Sequence, residues 1–380
     1  MIYTILLYLT FVFNVYELKG SRLRIGEHMD QLFKKWLEEG KISQRAYLNL
    51  IGGNSVHNST SPVDGKLKIS VLISTYKRAA YLIRLLNSIK NQQYNNCEII
   101  IVDDASNDDT EERIKQYREE NRELNIIYLV NERNLGASGS RKRAYLKATG
   151  DIVIFVDDDD YYIEPAYFSM LNHLYEEHPD CTMTAAPTIE LFEQEGKYEY
   201  CGLNNPKAIS NREYFNGFGK KYTSPYIFAV SLKNTVLKTI HYEELLFFNH
   251  ISLLLFALLE KGNVYTINQA VGIRTSHTGN MTGNTTPEFI LSNMEAKEDI
   301  YQRAMAAGLL DNPKEWRYRH LSSTAIYHFE NNQMITAKDM IIFIWMKKHL
   351  EKTEFHRFVK RILQMTKLRV KRWLRANFKV

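Results

Sequence analysis

The chain has 380 residues, 44% hydrophobic and 24% charged, a balance that excludes a disordered or fibrous protein and suits one large α/β domain with an appendage, or two domains. Its net charge of +5 is uneven: Met346–Val380 holds twelve Lys or Arg against two Glu, so the tail carries +10 and the other 345 residues sum to −5. Cys97, Cys181 and Cys201 are odd in number and lack C-x-x-C spacing, which argues against a disulfide framework or a zinc site and fits reduced thiols in a cytoplasmic protein.

The first element, Ile2–Tyr16, is apolar but only 15 residues long, short of the roughly 20 that a spanning helix needs. It lacks the basic leader and small-residue cleavage site of a signal peptide. Lys19, Arg22 and Arg24 follow it and would keep the remainder on the cytoplasmic side. The segment is expected to be a monotopic anchor or a core helix. Residues 30–50 read as helical, with Leu32, Phe33, Trp36 and Leu37 among the apolar positions, and residues 52–65 form a linker dense in turn formers. Residues 1–65 are thus an N-terminal apolar and helical extension with its linker.

From Lys66 the pattern alternates. Strands are predicted over 69–74, 98–102, 126–130 and 152–156, with helices over 80–93, 109–122 and 138–149. Such alternation argues for βαβ units and a parallel sheet. Asp108 or Asp109 can cap the second helix, and Glu111 and Glu112 in its first turn match the helix dipole. Pro165 opens a helix to His178, and 181–191 alternates like one strand. An irregular stretch runs to Ser224, then come 226–232, a helix over 249–261 and short strands at 264–267 and 271–275. The principal domain is therefore 66–285. Residues 286–380 form a C-terminal helical region, with a helical hairpin over 317–345 packed through Ala325, Phe329, Ala337 and Ile341.

The tail interleaves bases with Phe355, Phe358, Ile362, Leu363, Leu368, Trp373 and Leu374. A basic amphipathic helix with aromatic anchors favours an anionic membrane surface, each near-surface base contributing about 1 kcal/mol. The alternative is a terminal helix packed on its own domain; nucleic acid is set aside as a partner.

The strongest chemical signal is Asp157–Asp160, four aspartates directly after the apolar run Ile152–Val156. In open α/β folds ligands bind at the carboxyl edge of the sheet, and crowded carboxylates there favour a hard divalent ion, Mg²⁺ or Mn²⁺. In an extended strand Asp157 and Asp159 point to one side and Asp158 to the other. Three further loops should meet them: Thr75–Arg78, Asp103–Asp108 and the segment leading to Gly136-Ala-Ser-Gly-Ser-Arg141. The Asp103-Asp104 pair can accept hydrogen bonds from a base or ribose, and Arg141, near a helix start, can pair with a diphosphate.

Together, KISVLISTYKRAAYLIRLLNSIKNQQYNNCEIIIVDDASNDDT and NERNLGASGSRKRAYLKATGDIVIFVDDDDYY closely resemble the nucleotide-binding half of family 2 glycosyltransferases, strongly over 66–165 and more loosely over 166–285. The resemblance implies the GT-A fold: an α/β, Rossmann-like, mostly parallel sheet flanked by helices. It implies that Thr75 and Tyr76 contact the nucleotide and that Asp104 reads the base, commonly uracil. Arg141 would face the diphosphate and Asp157 the ribose, with Asp158 part of the same nucleotide-sugar site. Asp159 would ligate the metal, and Asp160 is a further acidic position. Arg274-Thr-Ser-His277-Thr-Gly-Asn280 resembles the family's arginine and histidine motif, which gives His277 a place at the metal or the phosphates.

The activity implied is metal-dependent inverting transfer from a nucleoside diphosphate sugar, commonly a UDP-sugar, to a polysaccharide, lipid-linked or other cell-surface glycan acceptor. Its expected place is cytoplasmic, peripheral at the inner face of the cell membrane. In the family a Glu-Asp pair before a K-G turn supplies the base; aligning back from Lys261-Gly262 puts Asn249-His250-Ile251 there. His250 could serve, since an unperturbed imidazole titrates near 6.5; otherwise Glu243 or Glu244 supplies the carboxylate. The missing pair leaves a second reading open, a nucleotide-sugar-binding subunit that partners an active transferase.

Overall fold

The computed structural model describes residues 29–52, 64–92, 94–245, 249–277, 285–332 and 336–378, with side chains of the last helix described as far as Leu368. The apolar segment 2–16, most of the expected linker, Thr278-Gly279-Asn280 and the Ala337, Trp373 and Leu374 side chains lie outside the described residues.

Two short helices come first, α1 (29–38) and α2 (Gln44–Leu50), the second capped by the Ser43 hydroxyl, which accepts the Ala46 amide at 3.0 Å. The βα alternation follows: β1 (Ile69–Thr75), α3 (Ala79–Lys90), β2 (Cys97–Asp103), α4 (Thr110–Glu120), β3 (Ile126–Val130), α5 (Gly136–Tyr145) and β4 (Ile152–Asp157). These strands pair in parallel in the order β3-β2-β1-β4. Both faces of the sheet are covered, which is why the strands read as continuous apolar runs. Leu72, Val153 and Phe155 enter the core on one face, and Ile73, Ile154 and Val156 the core on the other. Asp108 is the side chain that caps α4, accepting the Thr110 amide at 3.0 Å.

Beyond β4 the chain supplies β5 (Tyr161–Tyr162), α6 (Tyr167–Glu177), β6 (Cys181–Ala185), β7 (Thr188–Phe192), β8 (Lys197–Cys201), β9 (Ala208–Ser210) and α7 (Asn211–Gly217). Then come β10 (Val230–Lys233), α8 (Asn234–Thr239), α9 (His250–Ala257), β11 (Asn263–Thr266) and β12 (Gly272–Ser276). The main sheet has eight strands in the order β3-β2-β1-β4-β10-β6-β11-β9, and β10 is antiparallel to both its neighbours. A second sheet has the order β5-β12-β7-β8. The predicted strand over 181–191 is in fact two, β6 and β7, in different sheets. Pro187 has no N–H for a ladder; its carbonyl instead accepts the Val271 amide at 3.1 Å, at the crossing between sheets. The stretch up to Ser224, irregular by pattern, holds β8, β9 and α7; these elements are too short for a period to register.

Phe33, Trp36, Ile42 and Ala46 of the N-terminal helices pack on Ile163, Ile189, Leu191 and Ile273, which covers the second sheet. The C-terminal helices are α10 (Pro287–Ala306), α11 (Pro313–Asn331), α12 (Met340–His349) and α13 (Lys352–Phe378). Thr286 and Asn312 cap α10 and α11, each followed by proline at the first helical position. Ala325 and Phe329 are buried as predicted, but Ile342 rather than Ile341 enters the core of α12. Phe358 and Ile362 of α13 pack into the same core. No described helix is long and apolar enough to cross a membrane.

Candidate active site

Register brings the predicted loops together. Thr75 pairs with Asp103, Asp103 with Val130, and Ser74 with Asp157, so the ends of four strands form nearly one row at the carboxyl edge. The two loops after β1 and β2 are strained there: Lys77, Ala105 and Asn107 all hold positive φ, between 51° and 62°. Non-glycine residues rarely adopt that region. The loops are also tied to each other, since the Lys77 amide donates to the Ser106 hydroxyl at 2.8 Å and the Asp104 amide to the Thr75 carbonyl at 2.9 Å.

Asp104 is buried and braces the third loop. Its Oδ1 accepts from Asn131 Nδ2 and from the Leu135 amide, both at 2.7 Å. Asp103 accepts from the Tyr128 hydroxyl at 2.7 Å and the Ser106 amide at 2.9 Å. Gly136 then starts α5 with φ +72°, a conformation a side chain would strain. Tyr76 stands at the mouth of the site, 43% exposed, with the Lys77 ammonium 5.2 Å from its ring centre.

The aspartate run is largely neutralised from within. Arg141 pairs with Asp157. Asp158 accepts from the Thr75 hydroxyl at 2.7 Å and from Arg78 Nη1 at 3.1 Å. Asp159 Oδ2 receives the same Arg78 nitrogen at 2.8 Å and lies 3.0 Å from His277 Nε2. Asp160 Oδ1 accepts the Thr275 amide at 3.1 Å. Strand alternation was expected to turn Asp158 away from Asp159, but both meet Arg78, because β4 ends at Asp157 and the next two residues form a turn.

Burial dominates the electrostatics of these carboxyls. It pushes Asp158 up to about 7 even though Arg78 opposes it. Burial and the neighbouring Asp157 raise Asp159, and burial with Asp159 and Asp157 raises Asp160 well above the carboxylate range. Only Asp157 is lowered: burial opposes ionisation, and the Arg141 guanidinium outweighs it. Burial and mutual repulsion, more than the nearby arginines can offset, thus hold Asp158, Asp159 and Asp160 above the ordinary carboxylate range.

The family profile described as glycosyl transferase family 2 matches residues 70–234, the stretch that builds these four loops. Residues 70–234 are a glycosyl transferase family 2 domain. The chain is 34% identical over 117 residues to the poly(ribitol-phosphate) β-N-acetylglucosaminyltransferase TarS of Staphylococcus aureus, covering 30% of this chain and 20% of that one. It is 28% identical over 152 residues to the GalNAc(5)-diNAcBac-PP-undecaprenol β-1,3-glucosyltransferase of Campylobacter jejuni, 39% of this chain and 47% of that one. The matched segments thus span less than half the length of either relative. Among solved structures, S. aureus TarS 1-349 in complex with UDP-GlcNAc superposes with a TM-score of 0.60 at 17% identity, over 81% of this chain and 92% of that one. That likeness concerns the fold, and it agrees with the expected GT-A architecture.

Within this family 2 domain, His277 follows β12 and stacks on Tyr81, ring centres 5.1 Å apart and planes within 10°. Arg274, from the same predicted motif, turns instead to Glu190 and Tyr226. Arg84 ties β12 to the aspartates, donating to the Asp159 carbonyl at 2.6 Å and the Thr275 hydroxyl at 2.8 Å.

His250 begins α9 after the Asn249 cap, whose side chain accepts the Ser252 amide at 2.9 Å. It lines a small cleft with Ser138, Arg141, Tyr242 and Leu253. Burial lowers its imidazole to about 4; Asp157 pulls the other way, while Arg141, Arg274 and Lys297 add to the lowering. Glu243 and Glu244 are exposed on the short turn before α9, close to His241. The structure therefore brings His250, and not Glu244, to the cleft beside Arg141. Arg78, Arg84 and Tyr81 join the site although pattern reading gave them no role. Their spacing of three residues, from the N-cap of α3 through its first turn and a half and directly after the β1 loop, was the available signal.

Proposed function

We propose that this protein is an inverting glycosyltransferase that moves a sugar from a nucleoside diphosphate sugar, a UDP-sugar, to a hydroxyl of a polysaccharide, lipid-linked or other cell-surface glycan acceptor. The observation that carries this reading is the aspartate run, gathered with Arg141, Thr75 and Asp104 at one sheet edge. In this reading the exposed Tyr76 ring and Asp104 receive the base, Asp157 and Asp158 border the ribose and sugar, and Arg141 pairs with the diphosphate. The acceptors of the TarS and Campylobacter relatives, poly(ribitol-phosphate) and an undecaprenol-linked saccharide, support the acceptor class.

Asp159 and His277, 3.0 Å apart, fit a hard divalent ion, Mg²⁺ or Mn²⁺. They offer one oxygen and one nitrogen donor and leave the remaining positions to phosphate oxygens and water, as such ions prefer. Held there, the ion would offset charge on the departing nucleoside diphosphate. His250, kept neutral at pH 7 by desolvation and its cationic neighbours, can accept the acceptor hydroxyl's proton while Arg141 holds the donor in place. We further propose that the protein works at the inner face of the cell membrane, held by the basic tail of α13, a reading supported by exposed Leu363 and Leu368 at 64% and 57%.

Purified protein incubated with nucleotide sugars and Mn²⁺ tests the reading through release of nucleoside diphosphate. Folded protein that neither binds nor hydrolyses any donor would refute it. An imidazole titrating near 4 is a weak base, and that observation favours one alternative, a donor-binding subunit of another transferase. Donor binding without transfer to any acceptor, unaltered by His250→Ala, would establish the alternative.

A further inference from the structure

We propose that Arg78 is a tethered counter-ion of the aspartate cluster, displaced from Asp159 when a divalent cation binds and handed to the donor's diphosphate. The inference rests on the metal-dependent donor site proposed above. It starts from one atom. Asp159 Oδ2 accepts Arg78 Nη1 at 2.8 Å and also faces His277 Nε2 at 3.0 Å, so the oxygen that would ligate a metal with His277 already holds a guanidinium. A cation on that oxygen and Arg78 cannot share it, because two positive charges in a site where Asp158 and Asp159 are buried repel strongly.

Arg78 has somewhere to go. It ends the Thr75–Arg78 loop, immediately before α3, and its side chain remains 24% exposed while those of Asp158 and Asp159 are 4% and 7% exposed. A guanidinium matches carboxylate and phosphate oxygens with the same planar geometry. Released from Asp159, it stays within the loop assigned to the nucleotide. Metal and nucleoside diphosphate then help each other: the metal frees the arginine that the diphosphate uses, and the diphosphate stabilises the arginine in its displaced position. By linkage the coupling is reciprocal. In the absence of nucleotide the protein suppresses its own metal affinity, and the aspartate cluster loads metal together with donor.

The test is Mn²⁺ binding, read from the free-ion EPR signal, and UDP binding, read by calorimetry, in the wild-type chain, Arg78→Gln and Arg78→Lys. Arg78→Gln is expected to bind Mn²⁺ alone about 5-fold or more tightly than wild type, within the usual range of such couplings. With Mn²⁺ present it should bind UDP more weakly. Arg78→Lys, which keeps the charge, should stay closer to wild type in Mn²⁺ affinity. A merely structural role would weaken both ligands together. Mn²⁺ binding equal or weaker in Arg78→Gln would overturn this inference alone. Absence of Mn²⁺ binding from every form, with or without UDP, would overturn it together with the metal-dependent reading.

Discussion

Lys297 is 5% exposed, in the middle of α10, with its ammonium donating to the Thr324 hydroxyl. Among the described residues it forms no ion pair. Burial alone lowers it from the ordinary 10.5 to about 8. That gap, at about 1.4 kcal/mol per pH unit, makes the buried charge cost about 3 kcal/mol at pH 7. Methionine has similar length and no charge, and Thr324 keeps its bond to the His320 carbonyl at 2.9 Å, so Lys297→Met should raise stability at pH 7 by up to about that amount. The sign with pH follows. Below about 8 the lysine is charged in both folded and unfolded chains and the cost is complete. Between 8 and 10.5 the folded chain releases the proton while the unfolded chain keeps it, so wild-type stability rises relative to the variant. Urea unfolding followed by fluorescence of the buried Trp316, at pH 7 and at pH 10, measures both effects. A variant less stable than wild type at pH 7, with a difference that does not change with pH, would refute the reasoning. The lysine also adds to the lowering of His250, so the same variant should move the His250 titration upward.

Asp159→Asn removes a charged cation ligand. With about 3 kcal/mol of charge stabilisation at stake, transfer in Mn²⁺ should fall on the order of 10²-fold at unchanged fold, checked by donor turnover and circular dichroism. If His250 is the base, its titration near 4 keeps kcat/KM level from pH 7 down to about 5, and His250→Ala costs about 10²–10⁴-fold; an acid limb at about 6.5 would contradict the assignment. Truncation after Met365 spares the packed Phe358 and Ile362 but removes six Lys or Arg. It should abolish sedimentation with anionic vesicles, and undiminished sedimentation would rule out the tail as the anchor.

The parallel half of the fold was legible because its strands are buried on both faces and its helices are amphipathic, so period and composition agree at every step. Legibility declined after β6. There the chain crosses between two sheets at Pro187, and β8 and β9 have five and three residues, where alternation carries little information. The tail joins a packed and an exposed stretch in one helix. Phe358 and Ile362 are buried while Leu363 and Leu368 are exposed, and a uniform amphipathic pattern cannot mark where packing ends.

The site shows the same division for a chemical reason. The aspartates, Thr75 and Asp104 were readable because they sit at or just past strand ends, and Arg141 because it lies on the helix that follows one, where the topology dictates what each meets. His250 was readable as a position and not as a chemistry, since its lowered imidazole depends on desolvation at the start of α9 and on Arg141, Arg274 and Lys297, distributed over more than 150 residues of sequence. Arg78 was the least visible of all. An arginine opening a helix after a strand is unremarkable by pattern, and its contact with Asp158 and Asp159 spans about 80 residues. The need for such a residue nevertheless follows from charge alone. Four successive carboxylates are not buried together in ionised form without compensation, and the fold that buries Asp158, Asp159 and Asp160 brings Arg78 to the first two of them from elsewhere in the chain.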